Sequence, residues 1–435
     1  MQGYKKEFMC SCGKKHVSSV DDIIVEKGAI NRLPEFIKKY NAIKPFILAD
    51  EKSFCAGGTK VIKALESNNI NYSKYVFEKG DIEPDENAVG SAVMHFDKSC
   101  DIVIGVGSGV INDIGKILSA TAKLPYIVVA TAPSMDGYAS ATSSVSVDGL
   151  KVSLPSRCAN VVIGDLEVLK NAPLKMMLSG LGDMIAKLIS ICEWRLSNLI
   201  TGEYYCEKIA TIIRSAVKKC IDNADGLLHR DEDAVKAVFN GLVMGGVAMD
   251  YAGCSRPASG CEHYFSHVWD MRGLEFGAPV DFHGIQCAIG TLYAIKIYEQ
   301  VVRIKPDKEK ALEFARAFDK EKYEKELREF LGKSADTMIA LDRKENKYDV
   351  NKHAKRLEII ISNWDKILKI IEEELISYDE LFRLMDKLGM PKTCEEIGIS
   401  ASTLKQTFFA TKDIRDKYVL SRLCWDLGVI DKIIL

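Results

Sequence analysis

The sequence has no uncharged apolar run approaching the ~18 residues of a membrane span, so no transmembrane helix is expected. Its first residues, MQGYKKEFMCSCGKK, lack an apolar h-region, and a secretory leader is not expected either. Net charge is small: 59 Lys plus Arg against 61 Asp plus Glu leave −2 at pH 7. That balance gives no global electrostatic footprint for nucleic acid or anionic lipid. Low-complexity tracts and internal repeats are absent. Histidine is scarce, with 7 in 435 residues.

What is present is ordinary for a globular chain, with 47% hydrophobic and 28% charged residues. Disorder, a collagen-like repeat and a disulfide miniprotein are excluded. At ~150 residues per domain the length suggests two or three domains, with a large core that needs no staples. The 13 cysteines are odd in number and scattered, several of them in apolar runs where a free thiol behaves as a small hydrophobe. A reduced, cytoplasmic setting is the economical expectation.

The first part alternates between two patterns. KPFILAD (Lys44 to Asp50), DIVIGVGSG (Asp101 to Gly109) and PYIVVATAPS (Pro125 to Ser134) are short, β-branched and bounded by turn residues, as buried parallel strands are. Helical patterns such as VINDIGKILSATAK (Val110 to Lys123) lie between them, which predicts a doubly wound parallel sheet. From about Asn171 the period is mostly helical, and the segment Lys305 to Lys347 reads as a charged, solvated helical pair. The expected fold is an α/β N-terminal Rossmann-like domain over 1–175 plus an all-α C-terminal domain over 176–435, the boundary falling between Asn171 and Gly182.

Gly105, Gly107 and Gly109 sit between a strand and a helix, where glycine lets backbone approach a pyrophosphate and the helix start offers unpaired N–H groups. The spacing is not a clean GxGxxG. Asp50 ends its strand and is read as an acceptor for an adenosine ribose hydroxyl, favouring NAD over NADP, with capping of the next helix as the alternative. TAPSMDGYASATSSV (Thr131 to Val145) is rich in hydroxyls, and it stands at the carboxyl end of a strand, where such sheets bind ligands.

The helical half holds a candidate metal site. GLGDMIAK is read as placing Asp183 at a helix start. In SGCEHYFSHVWD, Ser259 and Glu262 read as a capping box, so His263 and His267 share one helix face. His283 precedes a further helix. One Asp and two His near helix starts suit a divalent cation with an open position; zinc, iron and nickel all fit such ligands. Lys187, Arg256 and Arg272 are candidate phosphate cations, though a surface charge or an ion-pair partner is the preferred reading of each. The cluster Cys10, Cys12, Gly13, His16 is read as a strand-and-turn start with incidental thiols rather than half of a small zinc knuckle, for which no fourth ligand is evident.

GVGSGVIND, TAPSMDGYAS, GLGDMIAK, SGCEHYFSH and HGIQCAIG, in this order over roughly Val25 to Gly290, resemble the sn-glycerol-1-phosphate dehydrogenase family, including its bacterial branch found with arabinose genes. That family belongs with glycerol dehydrogenase, the iron-containing alcohol dehydrogenases and dehydroquinate synthase. The resemblance implies a dehydroquinate synthase-like fold with NAD or NADP and one divalent metal (Zn, Ni or Fe) in a cleft between the domains. It implies cofactor contacts from Gly107, Ser108, Gly109, Val110, Ile111, Asn112 and Asp113, with Gly109 to Asp113 on the phosphates, and from Thr131, Ala132, Pro133, Ser134 and Ser140. The implied metal ligands are Asp183, His263 and His283, while Asp136, Asp183 and His267 would bind substrate and act in catalysis. The implied reaction interconverts dihydroxyacetone phosphate and sn-glycerol 1-phosphate, a step of phospholipid type. The expected partner is a phosphorylated polyol, and a homodimer or larger homo-oligomer is expected. The rivals are a glycerol or other polyol dehydrogenase, a dehydroquinate-synthase-like lyase and a nonenzymatic NAD-binding protein. No matching motif is found beyond about Gly290.

Overall fold

A computed structural model describes residues 4–78, 82–148 and 150–435. The apolar runs become strands. β1 (Glu7–Met9) and β2 (Lys15–Val17) make a small antiparallel hairpin. β3 (Asp22–Glu26), β4 (Pro45–Asp50), β5 (Ser73–Phe77), β6 (Ile102–Gly107), β7 (Tyr126–Ala130) and β10 (Val161–Asp165) build one parallel sheet in the order β3-β10-β7-β6-β4-β5. β8 (Thr142–Val147) and β9 (Leu150–Pro155) pair separately and antiparallel. β6, β7 and β10 are buried along their whole length, which is why their sequences run apolar instead of alternating.

The helices between the strands are α1 (Leu33–Lys39), α2 (Glu51–Ser53), α3 (Thr59–Glu66), α4 (Glu86–Met94) and α5 (Gly109–Ala122), and the short α6 (Leu166–Leu169) follows β10. Ile47, Ile104, Ile127 and Ile163 line one sheet face and pack with Leu33, Phe36, Val61 and Leu65 of α1 and α3. Gly107 of β6 lies opposite Ala130 of β7, so the segments that leave these two strands are neighbours. This is the end of the sheet where ligands of parallel α/β folds bind.

The rest is helical: α7 (Leu174–Thr201), α8 (Glu207–Asp222), α9 (Glu232–Ala252), α10 (Cys261–Phe276), α11 (His283–Val301) and eight more helices from Lys308–Ala317 to Leu420–Asp426. Two compact units result. The first comprises Met1–Met184 and Glu207–Ser255; the second comprises Ile185–Cys206 and Arg256–Leu435. In the first, α8 packs on α9, and α9 lies on the turn Gly137–Ala139. In the second, α10 packs on α11.

Two expectations are corrected. The charged segment Lys305 to Lys347 holds three helices, not two: Lys308–Ala317, Lys320–Leu331 and Ser334–Glu345. Asp319 caps the second, and Gly332, at φ +56°, ends it. Asp183 is not at a helix start; α7 begins just after Pro173 and carries Asp183 in its interior. Among the described residues no helix is long and apolar enough to cross a membrane. None of the thirteen cysteines is paired in a disulfide.

Candidate active site

On the sheet side, β6 ends at Gly107 and α5 begins at Gly109, with Ser108 as an N-cap whose side chain makes no capping bond. Two of the three glycines here serve packing. A Cβ on Gly105 would lie 2.3 Å from the Tyr126 hydroxyl, and one on Gly107 would lie 2.6 Å from Ile111 Cβ. Gly109 is different: its nearest neighbour would be Met135 Cγ at 3.6 Å, an ordinary contact. Val110 is half-buried beside it, and the N–H groups of this first turn have no partners within the helix.

The hydroxyl-rich loop after β7 is tied to that turn. The Thr131 N–H donates to the Gly107 carbonyl (3.2 Å), and Asn112 Nδ2 donates to the Gly137 carbonyl (2.9 Å). Lys116, fully buried, pairs with Asp113 (2.8 Å) and donates to the carbonyls of Gly137 and Thr142. Ser140 Oγ accepts from the Thr142 N–H at 3.2 Å, a local turn bond. Asp50 caps α2: its carboxylate accepts from the Ser53 N–H (2.8 Å), and Ser53 Oγ accepts from the Asp50 N–H (3.1 Å). These two bonds make the cap that was the alternative reading of Asp50.

Asp136 and Asp183 meet inside the first unit. The Asp136 N–H donates to Asp183 Oδ2 at 2.9 Å, and Asp183 is fully buried. The Thr131–Ser134 segment, Ala132 and Pro133 included, is buried against α7 because Gly180 has no side chain: a Cβ there would lie 1.9 Å from the Pro133 carbonyl oxygen. Ser179 Oγ donates to the Ser134 carbonyl next to it (3.0 Å).

In the second unit, α10 starts at Cys261 with Gly260 as N-cap, so the Ser259–Glu262 capping box does not form. Glu262 instead turns back: Oε1 accepts from the Gly260 N–H (2.8 Å) and faces His263 Nδ1 (2.7 Å). That contact occupies Nδ1 and leaves His263 Nε2 as its ligand atom, the arrangement seen where an imidazole is oriented for a metal. His283, the first residue of α11, has Nδ1 3.0 Å from Ser266 Oγ. Ser266 in turn accepts from Gln286 Nε2 (3.0 Å), which also donates to Asp270 (2.8 Å). The rings of His263 and His283 stand 5.1 Å apart, and His267 lies 6.5 and 6.0 Å from them. Gly290 permits this meeting of helices, since a Cβ there would lie 2.6 Å from the Glu262 carbonyl oxygen.

The sequence reading missed Cys287, one turn beyond His283 on the same face. Its Sγ and one nitrogen from each of His263 and His283 all lie within 4.8 Å of one another. Burial pushes this thiol up, but the two imidazoles outweigh burial and hold it below its ordinary value. The His283-x-x-x-Cys287 spacing was the available signal. Glu193 was also missed. Burial, and then the neighbouring Glu262 carboxyl, push it up to about 8, while it accepts from the N–H groups of Cys261 (2.9 Å) and Leu420 (2.8 Å).

Two candidate phosphate cations are engaged elsewhere. Arg256 is buried and pairs with Glu203, Nε to Oε1 at 2.8 Å, and also donates to Ser197 and the Tyr418 carbonyl. Arg272 donates to the Phe330 carbonyl and lies over the Phe330 ring at 4.4 Å. Lys187 is fully buried on α7.

Residues 24–173 match the family model described as iron-containing alcohol dehydrogenase. A Halalkalibacterium halodurans protein named glycerol-1-phosphate dehydrogenase (NAD(P)+) is 31% identical over 300 residues, covering 68% of this chain and 75% of that one. A Bacillus licheniformis protein of the same name is 30% identical over 297 residues, covering 67% and 74%. Among solved structures, glycerol dehydrogenase from Schizosaccharomyces pombe has the same fold, with a TM-score of 0.63 at 18% identity over 95% of this chain and 90% of that one. The chain belongs to the glycerol-1-phosphate dehydrogenase family, among the iron-containing alcohol dehydrogenases.

Proposed function

We propose that this protein is an NAD(P)-linked oxidoreductase that interconverts dihydroxyacetone phosphate and sn-glycerol 1-phosphate with one divalent cation. The observation that carries the reading is the pair His263 and His283, whose ring nitrogens approach each other while Glu262 and Ser266 engage their Nδ1 atoms. Two imidazoles so oriented fit Zn²⁺, Ni²⁺ or Fe²⁺. The names of the two relatives support the substrate class and the nicotinamide cofactor.

In this reading Asp183, His263 and His283 hold the cation, and the α5 turn with Thr131–Ser134 and Ser140 holds NAD or NADP. The cation would supply Lewis acidity at the substrate's C2 oxygen, and the nicotinamide would exchange hydride with C2. The chain's own work is positioning. The Asp136 N–H fixes the Asp183 carboxylate, and Glu262 and Ser266 fix the two rings. Asp136 and His267 take the substrate's polar groups. Asp50, held at the end of β4 by its cap, is the ribose acceptor that would favour NAD. The functional division at 175/176, a cytoplasmic setting and a homo-oligomer belong to the same proposal, and sedimentation of the purified protein checks the last.

The test is NADH oxidation by the metal-loaded protein with dihydroxyacetone phosphate against dihydroxyacetone. A clearly higher kcat/KM for the phosphorylated ketone is expected. Equal or better turnover of the unphosphorylated ketone rejects the proposal in favour of a polyol dehydrogenase, and no net NADH change rejects both.

A further inference from the structure

Cys287 has no role in the function proposed above, yet it stands among the groups that carry it. Helix α11 begins at His283, and Cys287 is four residues on, so both side chains share one helix face. Cys287 is fully buried. A buried thiol is usually a small hydrophobe packed among carbon atoms. This one lies 3.6 Å from His283 Nε2 and 3.9 Å from His283 Nδ1. Its Sγ and one nitrogen from each of His263 and His283 form a mutual cluster. All three residues belong to the second unit, His263 on α10 and the other two on α11. The packing of these two helices on each other is what brings them together.

The partners of the two rings decide which nitrogens face the sulfur. Glu262 engages His263 Nδ1, and Ser266 engages His283 Nδ1. Sγ is nearer to Nε2 of His283 than to Nδ1, so it sits toward the nitrogen that Ser266 does not occupy. Gln286, the residue before Cys287, is turned the other way, to Ser266 and Asp270. In a tetrahedral zinc site, with Zn–S of ~2.3 Å and Zn–N of ~2.0 Å, a sulfur and a nitrogen stand about 3.5 Å apart. The Cys287–His283 separation is already close to that value. The other two pairs lie within 4.8 Å, so they need at most about 1.5 Å of closure. Imidazole and carboxylate suit zinc, iron and nickel alike, whereas a soft thiolate favours zinc.

The geometry points to Cys287 Sγ as a direct ligand of the cation, beside His263 and His283, and hence to zinc as the ion this chain selects. The inference rests on the reading of those two histidines as ligands and adds a sulfur to it. On binding, the thiol proton passes to solvent as the sulfur–metal bond forms, and nothing is oxidised or reduced. Two imidazoles and one thiolate leave at least one tetrahedral position for a further ligand, as a catalytic site requires.

The test uses the full chain with cobalt as a spectroscopic probe for zinc. A Cys10→Ser, Cys12→Ser background removes the thiols beside His16, so that they contribute no signal. One equivalent of cobalt with a thiolate-to-cobalt charge-transfer band is expected. Adding Cys287→Ser should leave cobalt bound through the imidazoles but abolish the band, and zinc affinity should fall by about 100-fold or more. Cys287→Ala gives the same reading if the serine variant does not fold. Bound cobalt without the band overturns the proposal, with no substitution at Cys287 needed. So does a band that survives Cys287→Ser, or an unchanged zinc affinity in that variant. A chain that shows the band but does not turn over dihydroxyacetone phosphate keeps the sulfur ligand and loses the dehydrogenase reading. A chain that binds no cobalt loses both.

Discussion

Replacing Gly180 by alanine sets two effects of opposite sign against each other. In a helix interior Ala is favoured over Gly by ~1 kcal/mol, so on α7 alone the change should stabilise. The new Cβ, however, would lie 1.9 Å from the Pro133 carbonyl oxygen, 2.8 Å from its carbon and 2.9 Å from Leu242 Cδ1. Comfortable C···O contact begins near about 3.3 Å, so backbone must move by roughly 1.4 Å. Overpacking of this kind costs ~1–3 kcal/mol, which cancels or exceeds the helix gain. The larger effect is on rate. The Thr131–Ser134 segment is pressed on this glycine, and a ~1 Å misplacement of a positioning group can cost about 100-fold. We expect Gly180→Ala to lower kcat/KM by about that factor while unfolding free energy changes by no more than ~2 kcal/mol. Urea unfolding and steady-state NADH oxidation measure the two quantities. A variant stabilised by ~1 kcal/mol with unchanged kcat/KM would refute the idea that α7 sets the loop's position.

Other substitutions test the remaining parts. Gly90→Ala on α4, where a Cβ would meet nothing within 4 Å, should stabilise by ~0.5–1 kcal/mol and leave activity unchanged, read by the same two assays. His283→Ala should lose the site's cation and nearly all turnover yet keep NAD(H) binding, measured by metal analysis and cofactor fluorescence; retained turnover contradicts the ligand assignment. His267→Ala should keep the metal content and raise KM or lower kcat. For Glu193, folding raises the pKa from an ordinary 4.5 to about 8, so between these values the folded chain holds a proton that the unfolded chain has lost. Stability should therefore fall as pH rises through that window, by up to ~1.4 kcal/mol per pH unit, and level off above it. Glu193→Gln should flatten that slope, and unfolding curves taken across the window will show whether it does.

The sheet was legible because buried parallel strands leave unmixed apolar runs: β4 and β6 fall within two residues of KPFILAD and DIVIGVGSG, and β7 takes the apolar part of PYIVVATAPS but stops at Ala130, four residues short of Ser134. The helix over Asp183 was misread for a physical reason. Gly180 and Gly182 look like a break, but the helix spends Gly180 on close approach to Pro133 instead. The Ser259–Glu262 pair has capping-box spacing, yet the Glu262 carboxylate is drawn to Gly260 and His263. His263 and His283 were readable from composition, because a scarce residue recurs over a short stretch.

The bonds from Asn112 and Lys116 to the Gly137 and Thr142 carbonyls have a consequence for anyone who would change the nucleotide preference. They make the α5 turn and the segment after β7 a single mechanical part. A substitution that shifts one will drag the other, so libraries that vary the two stretches jointly should yield working variants more often than libraries that vary either alone.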